Sequence, residues 1–221
     1  MSEQHSFLTH EVISYLASRT TPDDDFLTRL KAAAKKAGIP PIWIASEQAA
    51  LIQILLRLVD AREVLEVGTL AGYSAISMAR VLPTEGHLHT IELEDAHADF
   101  AEHWIKQADL PCAVTVHRGH AEQLLPGFHD GSMDAMFIDA DKDNYALYLD
   151  AALRIVRPGG LILVDNAFAF GHLLDADDDL TPTGKDEVWA IRAFNDLMAR
   201  NDQIQGVILP LGDGMWVSVR A

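Results

Sequence analysis

The sequence is poor in cysteine, in positive charge and in long apolar runs, and each shortage removes a class of function. One cysteine, Cys112, in 221 residues excludes an internal disulfide and any zinc site built from several cysteines. Cys112 follows Pro111 ahead of a strand-like run, the setting of a structural thiol and not of a nucleophile. Lysine and arginine number 17 against 33 acidic residues, a formal charge of −16. That balance repels phosphate backbones and anionic lipid, so neither nucleic acid nor a membrane is an expected partner. No run approaches the ~18 apolar residues of a membrane span. Met1 to His5 lacks a basic region followed by an apolar core, so no secretory signal is expected and the cytoplasm is the expected compartment.

What is present is a hydrophobic content of 49%, enough for one sizeable α/β core and a single domain over 1–221, with 1–45 as a helical extension. Ser6 precedes a helical stretch to about Arg19. Thr21-Pro22-Asp23-Asp24-Asp25 offers a capping hydroxyl, a first-turn proline and acids against the dipole. That helix should stop at Gly38 before Pro40-Pro41. A third should start near Ser46, with Leu51, Ile52, Leu55, Leu58 and Val59 on an apolar face. Strands are expected at 62–68, 86–92, 113–118, 133–139 and 159–165, alternating with helices. Two more, 206–211 and 215–220, should pair as a hairpin through Gly212-Asp213-Gly214. The pattern predicts an α/β fold: a doubly wound, mostly parallel, seven-stranded Rossmann-like sheet with an N-terminal helical addition and an antiparallel C-terminal hairpin.

Two strand ends carry chemistry. Phe137-Ile138-Asp139 and Leu163-Val164-Asp165-Asn166 are apolar runs that end in oxygen donors. Neighbouring parallel strands place such ends together, so Asp139, Asp165 and Asn166 are candidate ligands of a hard divalent cation. Lys142 follows Asp139 by about one helical turn and could reach the same point. Upstream, the strand ending in Glu66-Val67-Gly68 runs through Thr69-Leu70-Ala71-Gly72 into a helix opened by Tyr73-Ser74. Gly68 and Gly72 permit a tight turn and close approach of a ligand. Glu92 ends the next strand, where a carboxylate accepts hydrogen bonds from a ribose. Leu70 stands where a pyrophosphate-binding turn needs glycine, and no Lys-Ser/Thr phosphate loop is present. A nucleoside ligand without phosphates fits better, and S-adenosylmethionine is the common one.

Three motifs carry a resemblance. Glu-Val-Gly-Thr-x-x-Gly-Tyr-Ser (Glu66 to Ser74), Asp-Ala-Asp-Lys-x-x-Tyr (Asp139 to Tyr145) and Val-Asp-Asn (Val164 to Asn166) resemble the metal-dependent class I O-methyltransferases of the catechol and caffeoyl-CoA type, the bacterial members most closely. The likeness runs from about Ser46 to Gly214. It implies the Rossmann-like methyltransferase fold, S-adenosylmethionine as methyl donor, Mg²⁺ (with Mn²⁺ or Ca²⁺ as substitutes), a vicinal-diol phenol as acceptor, and a homodimer. It implies cofactor contacts from Ile44, Glu66, Gly68, Thr69, Gly72, Ser74, Glu92, His120, Ala121 and Asp139, a metal held by Asp139, Asp165 and Asn166, and Lys142 as base. The chain departs from the family at three places. His120 replaces a frequent aspartate, Ala49-Ala50 replaces a Gly-Gln pair, and Ala169 stands where a tryptophan is common.

Other readings compete with these. Asp139-x-Asp141-x-Asp143, with Asp150 at the twelfth position, imitates a calcium-binding loop, but Asn144 holds the place of its obligatory glycine. Asp141 and Asp143 are better read as solvated or structural. Most of the ten histidines should be surface or structural residues, His87 and His89 sharing one strand face. Asp175 to Asp179 reads as a solvated loop; with the N-terminal helices and the segment after Asn166, the Asp175–Pro182 stretch should shape the acceptor pocket. A nicotinamide-dependent oxidoreductase could use a similar sheet and Glu92, and a non-catalytic nucleoside-binding module is a third class.

Overall fold

In β1 (Glu63–Val67), Val64, Leu65, Glu66 and Val67 are all buried, the pattern of a strand covered on both faces at the centre of a parallel sheet. The computed structural model describes residues 9–221; the helix start at Ser6 and the leader reading of Met1 to His5 lie outside these. Helices α1 (His10–Ala17), α2 (Asp25–Lys36) and α3 (Ser46–Leu58) precede β1. The chain then alternates through α4 (Tyr73–Ala79), β2 (His87–Glu92), α5 (Asp95–Gln107), β3 (Ala113–Arg118), α6 (Ala121–Leu124), β4 (Met133–Ile138), α7 (Tyr145–Ile155) and β5 (Val156–Val164). It closes with α8 (Pro182–Arg200), β6 (Ile204–Leu209) and β7 (Met215–Arg220). The seven strands form one sheet in the order β3-β2-β1-β4-β5-β7-β6, parallel except for β7, which runs against both neighbours.

Strand order reverses between β1 and β4, which makes their carboxyl ends the crevice where such sheets bind ligands. Gly68 and Asp139 leave the sheet side by side there. The Asp139 amide donates to the Val67 carbonyl at 2.9 Å. Gly68 has φ of +100°, and a Cβ on it would fall 2.0 Å from the Asp139 carbonyl oxygen. The close approach that this glycine permits is therefore between two strand ends, not only toward a ligand. Gly68→Ala should lower unfolding free energy by about 2–5 kcal/mol, left-handed strain plus overpacking; a urea midpoint equal to wild type would contradict this.

Local capping moves several expected boundaries. Asp24, not Thr21, caps α2: its carboxylate accepts from the Leu27 amide at 2.9 Å, so the helix starts at Asp25. The buried side of α3 is Gln48, Ala49, Ile52 and Leu56. Leu58, six residues past Ile52 and so on the opposite side, is 74% exposed rather than in the seam. β5 begins at Val156, earlier than 159, and β6 spans 204–209 rather than 206–211. The β6–β7 link is longer than a tight turn because the site uses it: the Ala167 amide donates to the Gly214 carbonyl and the Phe168 amide to that of Asp213. The Cys112 thiol lies half-buried, 3.4 Å from the Ala79 carbonyl, and burial pushes its pKa up, as befits a structural thiol. Among the described residues, no helix is long and apolar enough to cross a membrane.

Candidate active site

A cavity of about 720 Å³ opens at the β1/β4 switch. Ile44, Gly68, Thr69, Ser74, Glu92, His120, Ala121, Asp139, Lys142 and Asn166 line it, so ten of the residues singled out in the sequence meet there from six separate stretches. Glu66, Gly72 and Asp165 are buried and do not line it. Gly72, with φ of +79°, precedes α4, and a Cβ there would lie 3.2 Å from the Ala101 Cβ; it lets α4 and α5 pack together. Its expected place against a ligand is corrected on that ground.

Glu92 does more than face the cavity. Its Oε2 accepts from the Leu70 amide at 2.7 Å and its Oε1 from the Glu94 amide at 2.9 Å. Leu70 has φ of +48°, a costly value for leucine, and the Glu92 bond holds it there. Glu66 lies beneath. Its Oε2 accepts from the Thr90 hydroxyl at 2.5 Å, while Oε1 is buried with no partner. Burial pushes the Glu66 carboxyl up to about 8, with the Ser74 and Thr90 hydroxyls acting against that rise. A buried acceptor without a donor, next to a cavity, suits a cationic ligand group.

The other end of the cavity is acidic. Ile138 pairs with Val164 across β4 and β5, so Asp139 and Asp165 follow as the next residues on neighbouring strands. Asp165 is 5% exposed, and burial, reinforced by the Asp139 charge, pushes its carboxyl up to about 7. The Asp139 charge thus raises the proton affinity of Asp165, an effect that a bound cation would relieve. Asn166 has φ of +65°, and its Nδ2 donates to Asp213 Oδ2 at 3.2 Å, which leaves Oδ1 as a free oxygen donor. Lys142 Nζ lies 3.3 Å from Asp139 Oδ1 and 2.7 Å from the Tyr145 hydroxyl, which in turn sits 3.3 Å from the Asp165 carbonyl. Burial raises the Tyr145 pKa well above its ordinary value, so this hydroxyl keeps its proton. Asp139, Asp165 and Asn166 thus form an all-oxygen donor set that fits a hard divalent ion.

Three supporting residues escaped the sequence reading. Gln48 Nε2 donates to Asp165 Oδ1 at 2.6 Å, and its Oε1 accepts from the Ala45 amide at 2.9 Å. This contact spans 117 residues, and a glutamine in an apolar helix gives no hint of it. Tyr145 entered only as the last residue of the Asp139 motif, with no role, and Asp213 only as a turn residue; besides Asn166 it receives the Phe170 amide at 2.7 Å. Asp141 accepts from the Tyr148 hydroxyl at 2.5 Å and is structural, as expected. Ala169 is buried, and Phe170 beside it supplies an aromatic wall, its ring 5.9 Å from Lys142 Nζ. The Asp175–Pro182 stretch contributes nothing to the lining. Asp177 is held 3.0 Å from both Trp189 Nε1 and Arg192 Nη1, which ties the stretch to α8, and Glu187 of α8 faces the cavity instead.

A family model described as O-methyltransferase matches residues 17–221, nearly the whole chain. The chain belongs to the O-methyltransferase family. It is 37% identical over 200 residues to the catechol O-methyltransferase of Niastella koreensis, covering 89% of this chain and 88% of that one. The O-methyltransferase of Bacillus cereus, solved with S-adenosylhomocysteine (SAH), superposes with a TM-score of 0.82 at 31% identity, covering 96% of this chain and 97% of the other. TomG of Streptomyces achromogenes, solved with S-adenosylmethionine (SAM), gives 0.82 at 30%, covering 96% of each. This O-methyltransferase is therefore an S-adenosylmethionine-dependent enzyme. The nicotinamide-dependent and non-catalytic alternatives are set aside by that membership.

Proposed function

We propose that this O-methyltransferase moves a methyl group from S-adenosylmethionine to one phenolic hydroxyl of a vicinal diol, using a divalent cation, Mg²⁺ by donor chemistry, held by Asp139, Asp165 and Asn166. The observation that carries the reading is the meeting of Asp139 and buried Asp165 at the adjoining ends of β4 and β5, next to an asparagine whose amide nitrogen is already committed to Asp213. The name of the Niastella koreensis relative points to the same acceptor class.

Each residue then has a task. Glu92 accepts hydrogen bonds from the ribose hydroxyls with the lone pairs that Leu70 and Glu94 leave free. The Glu66 Oε1 and the Ser74 end of α4 serve the amino-acid part, a cation and an anion respectively. His120 and Ala121 wall the adenine end, and Ile44 closes over the cleft. When bound, the cation favours ionisation of adjacent phenolic oxygens and the sulfonium presents an electrophilic methyl. Lys142 Nζ accepts the phenolic proton, with Asp139 and the Tyr145 hydroxyl fixing the direction of its lone pair. Phe170 packs on the acceptor ring and keeps water off the reacting oxygen. The homodimer is part of the proposal, and the exposed Val12, Ile13, Tyr15 and Leu16 of α1 offer an apolar surface for it.

Glu92→Ala should weaken SAH binding by ~1.5–3 kcal/mol, the worth of hydrogen bonds to a charged group. The loss of the Leu70 tether acts in the same direction. Unchanged affinity in calorimetry would place the ribose elsewhere.

A further inference from the structure

At the amino ends of β1, β2 and β3, opposite the cleft, one sheet face carries an unusual polar group. Register pairs Glu63 with His87 and His89 with Thr115, so these side chains, with His117 two residues on, share that face. One ring nitrogen of His87, one of His89 and one carboxylate oxygen of Glu63 lie within 4.8 Å of one another. We propose that Glu63, His87 and His89 bind a transition-metal ion of the zinc class, at a site separate from the oxygen donors of Asp139, Asp165 and Asn166.

The surroundings prepare each ligand. His89 Nδ1 lies 3.0 Å from His117 Nε2, and His89 Nε2 lies 3.6 Å from Glu63 Oε2. With Nδ1–H donated to His117, the Nε2 lone pair faces the carboxylate, an arrangement that a cation between them stabilises. A histidine fixed through its second nitrogen is what metal ligation requires. His87 likewise spends Nε2 on the Thr115 hydroxyl at 2.7 Å, leaving Nδ1 free. The His87 and His89 rings stack with centroids 3.9 Å apart, and Phe128 packs edge-on against His89 and His117. Burial, then the neighbouring imidazoles, hold His89 down at about 4, and burial lowers His117 as well. Neutral imidazole is the form that ligates, and both of these shifts favour it. Burial pushes the Glu63 carboxyl upward, with His87 acting against the rise and Asp134 adding to it. Imidazole and carboxylate donors select zinc, nickel or copper over Mg²⁺, and three protein ligands leave one position for water. The Glu63 side chain is 40% exposed, which gives the ion a way in.

The test is a calorimetric titration of ZnCl2 into tag-free protein carrying Asp139→Asn and Asp165→Asn, which removes the oxygen site. One equivalent is expected to bind. Adding His89→Gln or, separately, the half-exposed Glu63→Gln should weaken it by about tenfold or more. Each of these two changes alone in wild type should leave Mg²⁺-supported methyl transfer unaltered. No zinc binding by the Asp139/Asp165 variant, or an affinity that neither His89→Gln nor Glu63→Gln shifts, overturns the proposal.

Discussion

Asp165→Ala should abolish methyl transfer to a catechol, by on the order of 10³-fold, while SAH binding stays largely intact. The separation is expected because Asp165 lies outside the cavity lining and, in the proposed function, serves only the metal. Loss of a ligand forfeits the several kcal/mol by which a cation stabilises developing oxyanion charge. Asp165→Asn is the companion variant: it keeps the size of the side chain and an acceptor for Gln48, and loses only the charge. It should be nearly as slow. A sign-definite pH dependence accompanies this. Burial raises the folded pKa of Asp165 from the ordinary aspartate value, about 3.9, to about 7, so its contribution to apo stability is full below that lower value and is lost as pH rises through 7. Mg²⁺ requires the ionised form. Its affinity and its thermal stabilisation should therefore grow from pH 6 to pH 8, with proton release below about 7. Equal Mg²⁺ affinity at both pH values, or an active Asp165→Ala, would remove this residue from the metal site.

Lys142→Met should lower turnover on a catechol by about 10²–10⁴ with metal and cofactor still bound, the usual worth of a positioned base. Nζ sits between Asp139 Oδ1 at 3.3 Å and the Tyr145 hydroxyl at 2.7 Å, so its position is set before any acceptor arrives. Methionine fills the same channel without a proton acceptor. Raising pH should recover part of the lost rate, because solvent hydroxide then ionises the phenol. A mutant as fast as wild type at neutral pH would mean that coordination alone suffices. A mutant that high pH fails to rescue would point to a role in orientation instead.

The parts of the site visible in the sequence were those written as strand ends. Asp139, Asp165 and Asn166 follow apolar runs and Glu92 ends the mixed strand β2, and parallel strands force such ends to one edge. The sheet itself was legible for the same reason: buried parallel strands leave continuous apolar runs, and what moved were boundaries, the start of α2 set by Asp24 and the starts of β5 and β6 at Val156 and Ile204. What the sequence hid were contacts with no periodic signature. Gln48 reaches Asp165 from a helix 117 residues away, and Asp213 reaches Asn166 from a turn. Gly68 and Gly72 looked equivalent as turn glycines, yet one lies against the Asp139 backbone and the other against Ala101. Only three-dimensional packing distinguishes them. Phe170 in place of a family tryptophan illustrates the limit from the other side, since a neighbouring residue supplies the aromatic wall that Ala169 lacks.

The most direct measurement is the rate of methyl transfer from labelled S-adenosylmethionine to catechol as Mg²⁺ is titrated into EDTA-stripped enzyme, with phenol as a parallel acceptor. The account predicts no transfer above background without metal, saturable recovery of catechol methylation with one ion per chain, and little or no methylation of phenol. Full activity in EDTA, or phenol methylated as readily as catechol, would contradict it.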